Sequence, residues 1–143
     1  MNLYNEFIII DDDEINNLLC RMIIEKTYNK ARIIDFTDPR EGFDYIVNTY
    51  SKTNSDTNAI LFLDINMPVL DAWDFLELYE NIDENIKNRV KIHILSSSVN
   101  KHDMVRAQSN KNVEYYLIKP LTQESIKLIV YVQNKRMELK NSK

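Results

Sequence analysis

Short runs of apolar residues alternate along the chain with longer segments whose apolar residues recur every three or four positions. Apolar runs that stop at polar residues predict buried strands. One such run ends at Asp11 and another ends at Asp64. The pattern predicts five strands, at residues 7–10, 32–36, 59–64, 90–95 and 113–118. The second strand is the least apolar, so we expect it near an edge of the sheet.

The segment after the first strand has the spacing of a helix. The apolar positions that mark one face of this helix are Ile15, Leu18, Leu19, Met22 and Ile23. Asp13 is a candidate cap for the helix. Cys20 is the single cysteine of the chain and cannot form an internal disulfide, so we expect it to be a small buried core residue.

Later helices are indicated in the same way. Asp38 is a cap candidate followed by Pro39, and Thr122 can cap the last helix. A further helix is predicted over about 101–109. The apolar positions that mark the second, third and last helices are Phe43, Ile46, Val47, Tyr50, Trp73, Phe75, Leu76, Leu78, Tyr79, Ile126, Ile129, Val130 and Val132. Residues 51–58 are predicted to be a polar loop, and the third helix is predicted to end in the polar stretch 80–89.

The order of these elements predicts the fold. Strands that alternate with helices indicate a parallel sheet covered by helices on both faces. We therefore expect a doubly wound, flavodoxin-like α/β fold with the five strands in the order 2-1-3-4-5. We expect one domain over residues 1–143, with a core at about 5–136, a short polar tail and no output domain.

Composition argues against several classes of function. The 18 basic and 22 acidic residues give a net charge of −4 and a pI near 5.2, without a basic stripe, so nucleic acid binding is not expected. The only glycine, Gly42, leaves no glycine-rich phosphate loop. No apolar run approaches the roughly 20 residues of a membrane span, and the amino terminus does not resemble a signal peptide. We expect a cytoplasmic protein that does not bind a membrane.

Polar side chains follow four of the predicted strands. Asp11 and Asp12 follow the first strand and Asp64 the third, while Ser96 and Lys119 end the fourth and fifth. The expected strand order brings these side chains to one place at the carboxyl edge of the sheet. Three carboxylates repel one another unless a cation lies among them, and Mg²⁺ (or Mn²⁺) is the natural candidate. Each residue alone could be a cap or turn residue, but the combination predicts a site for a metal ion and a phosphoryl group.

With these residues in place, the chain resembles the response-regulator receiver domains of two-component signalling. The matching stretches are IIIDDDEINNLL, LFLDINMPVLDAWDFL, IHILSSS and YYLIKPLT, and the resemblance covers residues 5 to about 136. It implies that Asp64 accepts a phosphoryl group from a histidine kinase or a histidine phosphotransfer protein. It also implies metal ligands: Asp12 directly, Asp11 through water, Asp64, and the main-chain carbonyl of Asn66.

The resemblance further implies a switch. Ser96 would be the hydroxyl that approaches the phosphoryl group, and Lys119, which precedes a usually cis proline, would neutralise it. Tyr116 would be the aromatic residue that turns inward when Ser96 moves. The resulting change of surface would be recognised by a downstream protein target, which the sequence does not identify. A protein of this kind is a phosphoacceptor with self-catalysed phosphotransfer and slow autodephosphorylation, rather than an enzyme.

Two departures from the family pattern affect these expectations. The connection over 109–112 is one residue longer than usual, which leaves Ser97 open as an alternative to Ser96. Ala72 stands where glycine is usual; if that position requires a positive φ, alanine would be strained there and the turn would be rearranged.

Two other functions remain open. A pseudo-receiver would keep the fold as a binding module without phosphorylation, although its usual substitutions of the acidic pair, the phosphoacceptor or the lysine are not present here. A phosphatase of the haloacid dehalogenase type is less favoured, because its second acid would fall at Asn66.

Overall fold

A computed structural model describes residues 3–52 and 57–141 of the chain, so part of the polar loop predicted at 51–58 lies outside the described residues. The strands are β1 (Glu6–Ile10), β2 (Arg32–Phe36), β3 (Ala59–Leu63), β4 (Val90–Ser96) and β5 (Val113–Ile118). The helices are α1 (Glu14–Thr27), α2 (Pro39–Tyr50), α3 (Ala72–Glu80), α4 (Glu84–Lys87), α5 (Lys101–Gln108) and α6 (Gln123–Asn141).

The strands form one parallel sheet in the order β2-β1-β3-β4-β5, which confirms the predicted fold. The less apolar β2 lies at an edge, as expected. Every residue of β1 and β3 is buried, because these central strands are covered on both faces. Alternate residues therefore enter two separate cores. Ile8 and Leu61 pack in the core beneath α2 and α3, whereas Phe7 and Phe62 pack in the core beneath α1 and α6.

The apolar face that the sequence marks on α1 is not the buried face of this helix. Ile15, Leu18, Leu19 and Met22 are exposed, between 55% and 70%. Ile23, the fifth residue of the predicted face, is partly buried against the core. The buried residues of α1 are Asn16, Asn17, Cys20 and Ile24, so the prediction for Cys20 is confirmed. The helix takes this orientation because the two asparagine side chains bind Asp11 at the end of β1, and Ile24 continues the same face into the core.

The predicted helix caps are confirmed. The side chain of Asp13 accepts hydrogen bonds at the start of α1, that of Asp38 does so at the start of α2, and Thr122 accepts one from the Ser125 amide before α6. The short helix α4 lies within the polar stretch 80–89, where the sequence predicted only the end of the third helix. Its cap, Asp83, and its single buried residue, Ile86, give too short a pattern to identify a helix.

The condition for strain at Ala72, a positive φ, is not met. Ala72 is the first residue of α3, with Asp71 as its cap, and no described residue other than glycine has a positive φ. The methyl group of Ala72 is fully buried, and its amide donates a hydrogen bond to the carbonyl of Ile65. The turn after β3 therefore needs a small side chain at this position rather than a left-handed backbone conformation.

The last helix is longer than the predicted core, since α6 continues to Asn141. Within the described part of the chain, no helix combines the length and the apolar character that crossing a bilayer requires.

Candidate functional site

Three carboxylates meet at the carboxyl edge of the sheet. Ile10 of β1 is paired with Leu63 of β3, so Asp11 and Asp64 are the next residues of adjacent strands. The amide of Asp64 donates a 3.0 Å hydrogen bond to the carbonyl of Ile10, which fixes this alignment. Asp11, Asp12 and Asp64 each offer an oxygen atom, and these oxygens lie within 4.8 Å of one another. Asp11 and Asp64 are buried, at 2% and 8% exposure, whereas Asp12 is exposed.

Lys119 lies among these carboxylates. Its Nζ is 2.7 Å from Asp11 Oδ2 and 3.3 Å from Asp64 Oδ1. The amide of Lys119 donates to the carbonyl of Ser96 at 2.8 Å, and the following bond to Pro120 is cis, as the resemblance implied. Burial alone would lower the pKa of Lys119, but the hydrogen bond to Asp11 and the charges of both carboxylates outweigh it and raise the pKa.

One ammonium group does not neutralise the cluster. Burial, and then the charge of Asp11, raise the pKa of Asp64 to about 6, although Lys119 acts in the opposite direction. An uncompensated negative charge in a cluster of oxygen atoms suits a hard divalent cation such as Mg²⁺, which uses one or two carboxylates and keeps several waters. The exposed Asp12 offers such an ion access from solvent. The residues therefore fit the predicted metal ion.

Two further residues position Asp11. Asn16 Nδ2 donates to Asp11 Oδ2 at 2.7 Å, and Asn17 Nδ2 donates to the main-chain carbonyl of Asp11 at 2.9 Å. The amide of Asp13 donates to the other carboxylate oxygen at 3.0 Å. Neither asparagine was predicted as a site residue, because the apolar periodicity of α1 marks a face from its apolar residues alone. Two polar residues just after the acidic cluster, on the face opposite the apolar one, were the signal that could have found them.

Ser96 ends β4 beside this cluster and is 1% exposed, whereas Ser97 is exposed. The connection over 109–112 has an extra residue, but the register between β4 and β5 shows why this residue does not change the position of Ser96. Ile92 pairs with Val113 and His93 pairs with Tyr115, so Glu114 is an additional residue within β5. Beyond this bulge Ser96 is again aligned, opposite Ile118. This geometry favours Ser96 over Ser97 as the hydroxyl of the site.

The loop after Ser96 is connected to Tyr116 and to α5 through Ser98. The amide of Ser98 donates to Ser96 Oγ at 3.0 Å, and its hydroxyl donates to Asp103 Oδ2 at 3.0 Å. The hydroxyl of Tyr116 donates to the Ser98 carbonyl at 2.8 Å, and the ring is half-buried. Asn66 lies two residues after Asp64, exposed in the loop before α3, and its carbonyl remains a predicted ligand.

Comparisons with known proteins identify the class to which this parallel α/β fold with its acidic site belongs. The response regulator receiver domain family matches residues 7–131, so the chain belongs to this family of two-component signalling domains. This result confirms the resemblance found in the sequence.

Individual relatives lie at low sequence identity. The probable methanogenesis regulatory protein FilR2 of Methanothrix harundinacea is 25% identical over 123 residues, which cover 86% of this chain and 77% of that protein. The crystal structure of a two component response regulator from Cytophaga hutchinsonii has a TM-score of 0.81 at 28% identity, and covers 91% of this chain and 96% of its own. A response regulator receiver protein from Dyadobacter fermentans, at 22% identity and a TM-score of 0.77, shares the fold; the match covers 91% of this chain and 95% of that one.

Proposed function

We propose that the chain is a response regulator receiver in which Asp64 accepts a phosphoryl group from the phosphohistidine of a histidine kinase or phosphotransfer protein. The observation that carries this proposal is the contact of Lys119 with both Asp11 and Asp64, in a cluster that also includes Asp12. Such a cluster offers a nucleophile, a cation for phosphoryl oxygens and ligands for a divalent metal in one place.

In the proposed reaction an oxygen of Asp64 forms a bond to phosphorus while the bond to the donor nitrogen breaks. The electron pair of the broken bond leaves with the donor imidazole, and the product is an acyl phosphate. Lys119 stabilises the negative charge on the phosphoryl oxygens. A bound Mg²⁺, held by Asp11, Asp12, Asp64 and the carbonyl of Asn66, would neutralise and orient the phosphoryl group.

The output of the proposed reaction is a change at the protein surface. The phosphoryl group offers the Ser96 hydroxyl a strong hydrogen-bond acceptor. If Ser96 moves towards it, the hydrogen bond that the Ser98 amide donates to Ser96 Oγ is broken. Ser98 in turn contacts Tyr116 and α5, so the surface formed by these elements would change for a downstream protein target. Exposed apolar residues on α1 and α6, among them Leu19 and Tyr131, support recognition by protein partners.

The alternatives are less well supported. A pseudo-receiver does not bind a phosphoryl group, so its function does not require a lysine between two buried carboxylates. A phosphatase of the haloacid dehalogenase type needs a second acid two residues after its nucleophile, and Asn66 occupies that position.

Incubation with acetyl phosphate and Mg²⁺, followed by intact mass measurement, tests the proposal. We expect a transient gain of one phosphoryl group that is lost in Asp64→Asn and kept in the control Asp74→Asn, which neutralises an exposed carboxylate on α3. Removal of divalent ions with a chelator should prevent the gain. Absence of any modification would indicate a pseudo-receiver, and steady hydrolysis of phosphomonoesters would indicate a phosphatase; either result would overturn the proposal.

A further inference from the structure

A small cavity lies at the edge of the sheet opposite the acidic site. It is a partly open cavity, lined by the carboxyl-terminal half of α6, the first residues of β4 and β5, Tyr4 and Asn88, and its volume is about 70 Å³. A water molecule needs about 10–15 Å³ of such space, so the cavity can hold several waters or one small ion. It is far below the roughly 300 Å³ at which pockets for cofactor-sized ligands begin. Any specific ligand must therefore be small.

Gln133 of α6 lines this cavity and is fully buried, at 0% exposure. Neither Oε1 nor Nε2 of its amide has a hydrogen-bond partner among the described residues. Buried polar groups in proteins are nearly always paired, because leaving one unpaired is costly. The preceding buried residues of the same helix face, Ile126, Ile129 and Val130, are apolar. Gln133 thus needs a partner that both donates and accepts a hydrogen bond.

The charged residues around the cavity are mostly cationic. Arg136 Nη1 pairs with Glu114 Oε2 at 2.5 Å, whereas Lys91 and Lys140 form no ion pair with a carboxylate in the described part of the chain. Burial lowers the pKa of Lys91, and the charges of Lys140 and Arg136 lower it further, although Glu114 and Glu84 act in the opposite direction. Lys91 is half-buried, whereas Arg136 and Lys140 are exposed at the mouth of the cavity. The lining therefore has an excess of positive charge that an anion would neutralise.

We propose that this cavity binds a small oxyanion that carries a hydroxyl group, of the size of hydrogen phosphate or bicarbonate. Its charged oxygens would accept hydrogen bonds from Lys91, Lys140 and the Gln133 Nε2 group, and its hydroxyl would donate to Gln133 Oε1. Water could pair with Gln133 but would leave the charge uncompensated, and chloride could not donate to Oε1. The site is separate from the acidic cluster, because Lys91 is the second residue of β4 and Ser96 is the last.

Titration with inorganic phosphate, followed by NMR of the Gln133 side-chain amide, tests the proposal. The full chain is used without divalent metal, and potassium chloride at matched ionic strength is the reference. We expect a saturable shift of this amide with phosphate but not with chloride. Lys91→Met and Gln133→Leu should each weaken phosphate binding by about tenfold or more, the effect expected for a lost charge-assisted hydrogen bond. For Gln133→Leu, binding is read from the main-chain amides of its neighbours.

Lys135→Met is the matched control, since Lys135 lies on the same helix, pairs with Glu138 and does not line the cavity. It should bind phosphate as the unaltered chain does. Equal shifts with chloride and phosphate, or equal phosphate affinity in Lys91→Met and Lys135→Met, would overturn the proposal and leave water as the occupant. If Gln133→Leu does not fold, the comparison of the two lysine variants decides the question.

Discussion

The hydroxyl of Tyr116 donates a 2.8 Å hydrogen bond to the main-chain carbonyl of Ser98. This bond joins β5 to the loop that follows β4, and the amide of the same serine donates to Ser96. The two residues that the sequence predicts as a switch, Ser96 and Tyr116, are therefore linked through one residue. A displacement of either one must change the hydrogen bonding of Ser98.

Tyr116→Phe should lower the free energy of unfolding by about 1 kcal/mol, because the Ser98 carbonyl loses its bond to the phenol group. It should also increase the mobility of the loop after β4, seen as broadened amide signals of Ser98 in NMR spectra. Tyr115→Phe is the control, since the Tyr115 hydroxyl forms no hydrogen bond with the described residues. Equal losses of stability in urea unfolding of the two variants would contradict this prediction.

Lys119→Met should change the response of the chain to Mg²⁺. Without divalent ions the variant should be less stable by about 2–3 kcal/mol, because Asp11 and Asp64 lose the ammonium that lies between them. Added Mg²⁺ should stabilise the variant more than the unaltered chain, since the ammonium no longer competes for the carboxylates. Thermal unfolding with and without Mg²⁺ measures both effects, with the exposed Lys127→Met as control. An Mg²⁺ effect no larger than in the unaltered chain would count against the metal site.

His93 should make the chain sensitive to acid. It is fully buried on β4 between the rings of Phe62 and Tyr115, and burial lowers its pKa from 6.5 to about 4. Above pH 6.5 the imidazole is neutral in both states and its contribution to stability is complete. As the pH falls towards 4 the unfolded chain gains the proton first, so up to roughly 3 kcal/mol is lost.

The difference in unfolding free energy between the unaltered chain and His93→Leu isolates this contribution. Urea unfolding should show that the difference falls between pH 6.5 and pH 4. The chain has one other histidine, His102, which is exposed on α5, and His102→Gln is the control for the loss of a histidine. A pH-independent difference for His93→Leu would mean that the buried imidazole does not titrate in this way.

The exposed face of α1 should tolerate polar substitution. Leu18→Gln should change the free energy of unfolding by less than about 0.5 kcal/mol, as is usual for surface positions. Ile24→Ala, on the buried face of the same helix, should cost about 2–4 kcal/mol through lost packing and a cavity. Urea unfolding of both variants measures the difference. A large cost for Leu18→Gln would show that the helix is oriented as the apolar pattern alone suggests.

The sequence predicted the strands and the clustering of their polar ends, because a parallel sheet aligns the carboxyl ends of its strands. It did not predict the orientation of α1, because an apolar periodicity locates a face without saying whether it meets the core or solvent. Hydrogen bonds from Asn16 and Asn17 to Asp11 decided that orientation. The bulge at Glu114 was not predicted either. An added residue lengthens the sequence by the same amount whether it lies in the loop or in the edge strand, so the sequence does not distinguish the two.

The contact between Lys119 and Asp11 joins residues that are 108 positions apart in the chain. The site consequently exists only when β5 is paired at one edge of the sheet and β1 and β3 are paired at its centre. A nascent or partly unfolded chain has Asp64, the proposed nucleophile, but lacks the ammonium beside it. Only a chain whose whole sheet has folded would then be able to accept a phosphoryl group. Partly folded chains would take no part in signalling.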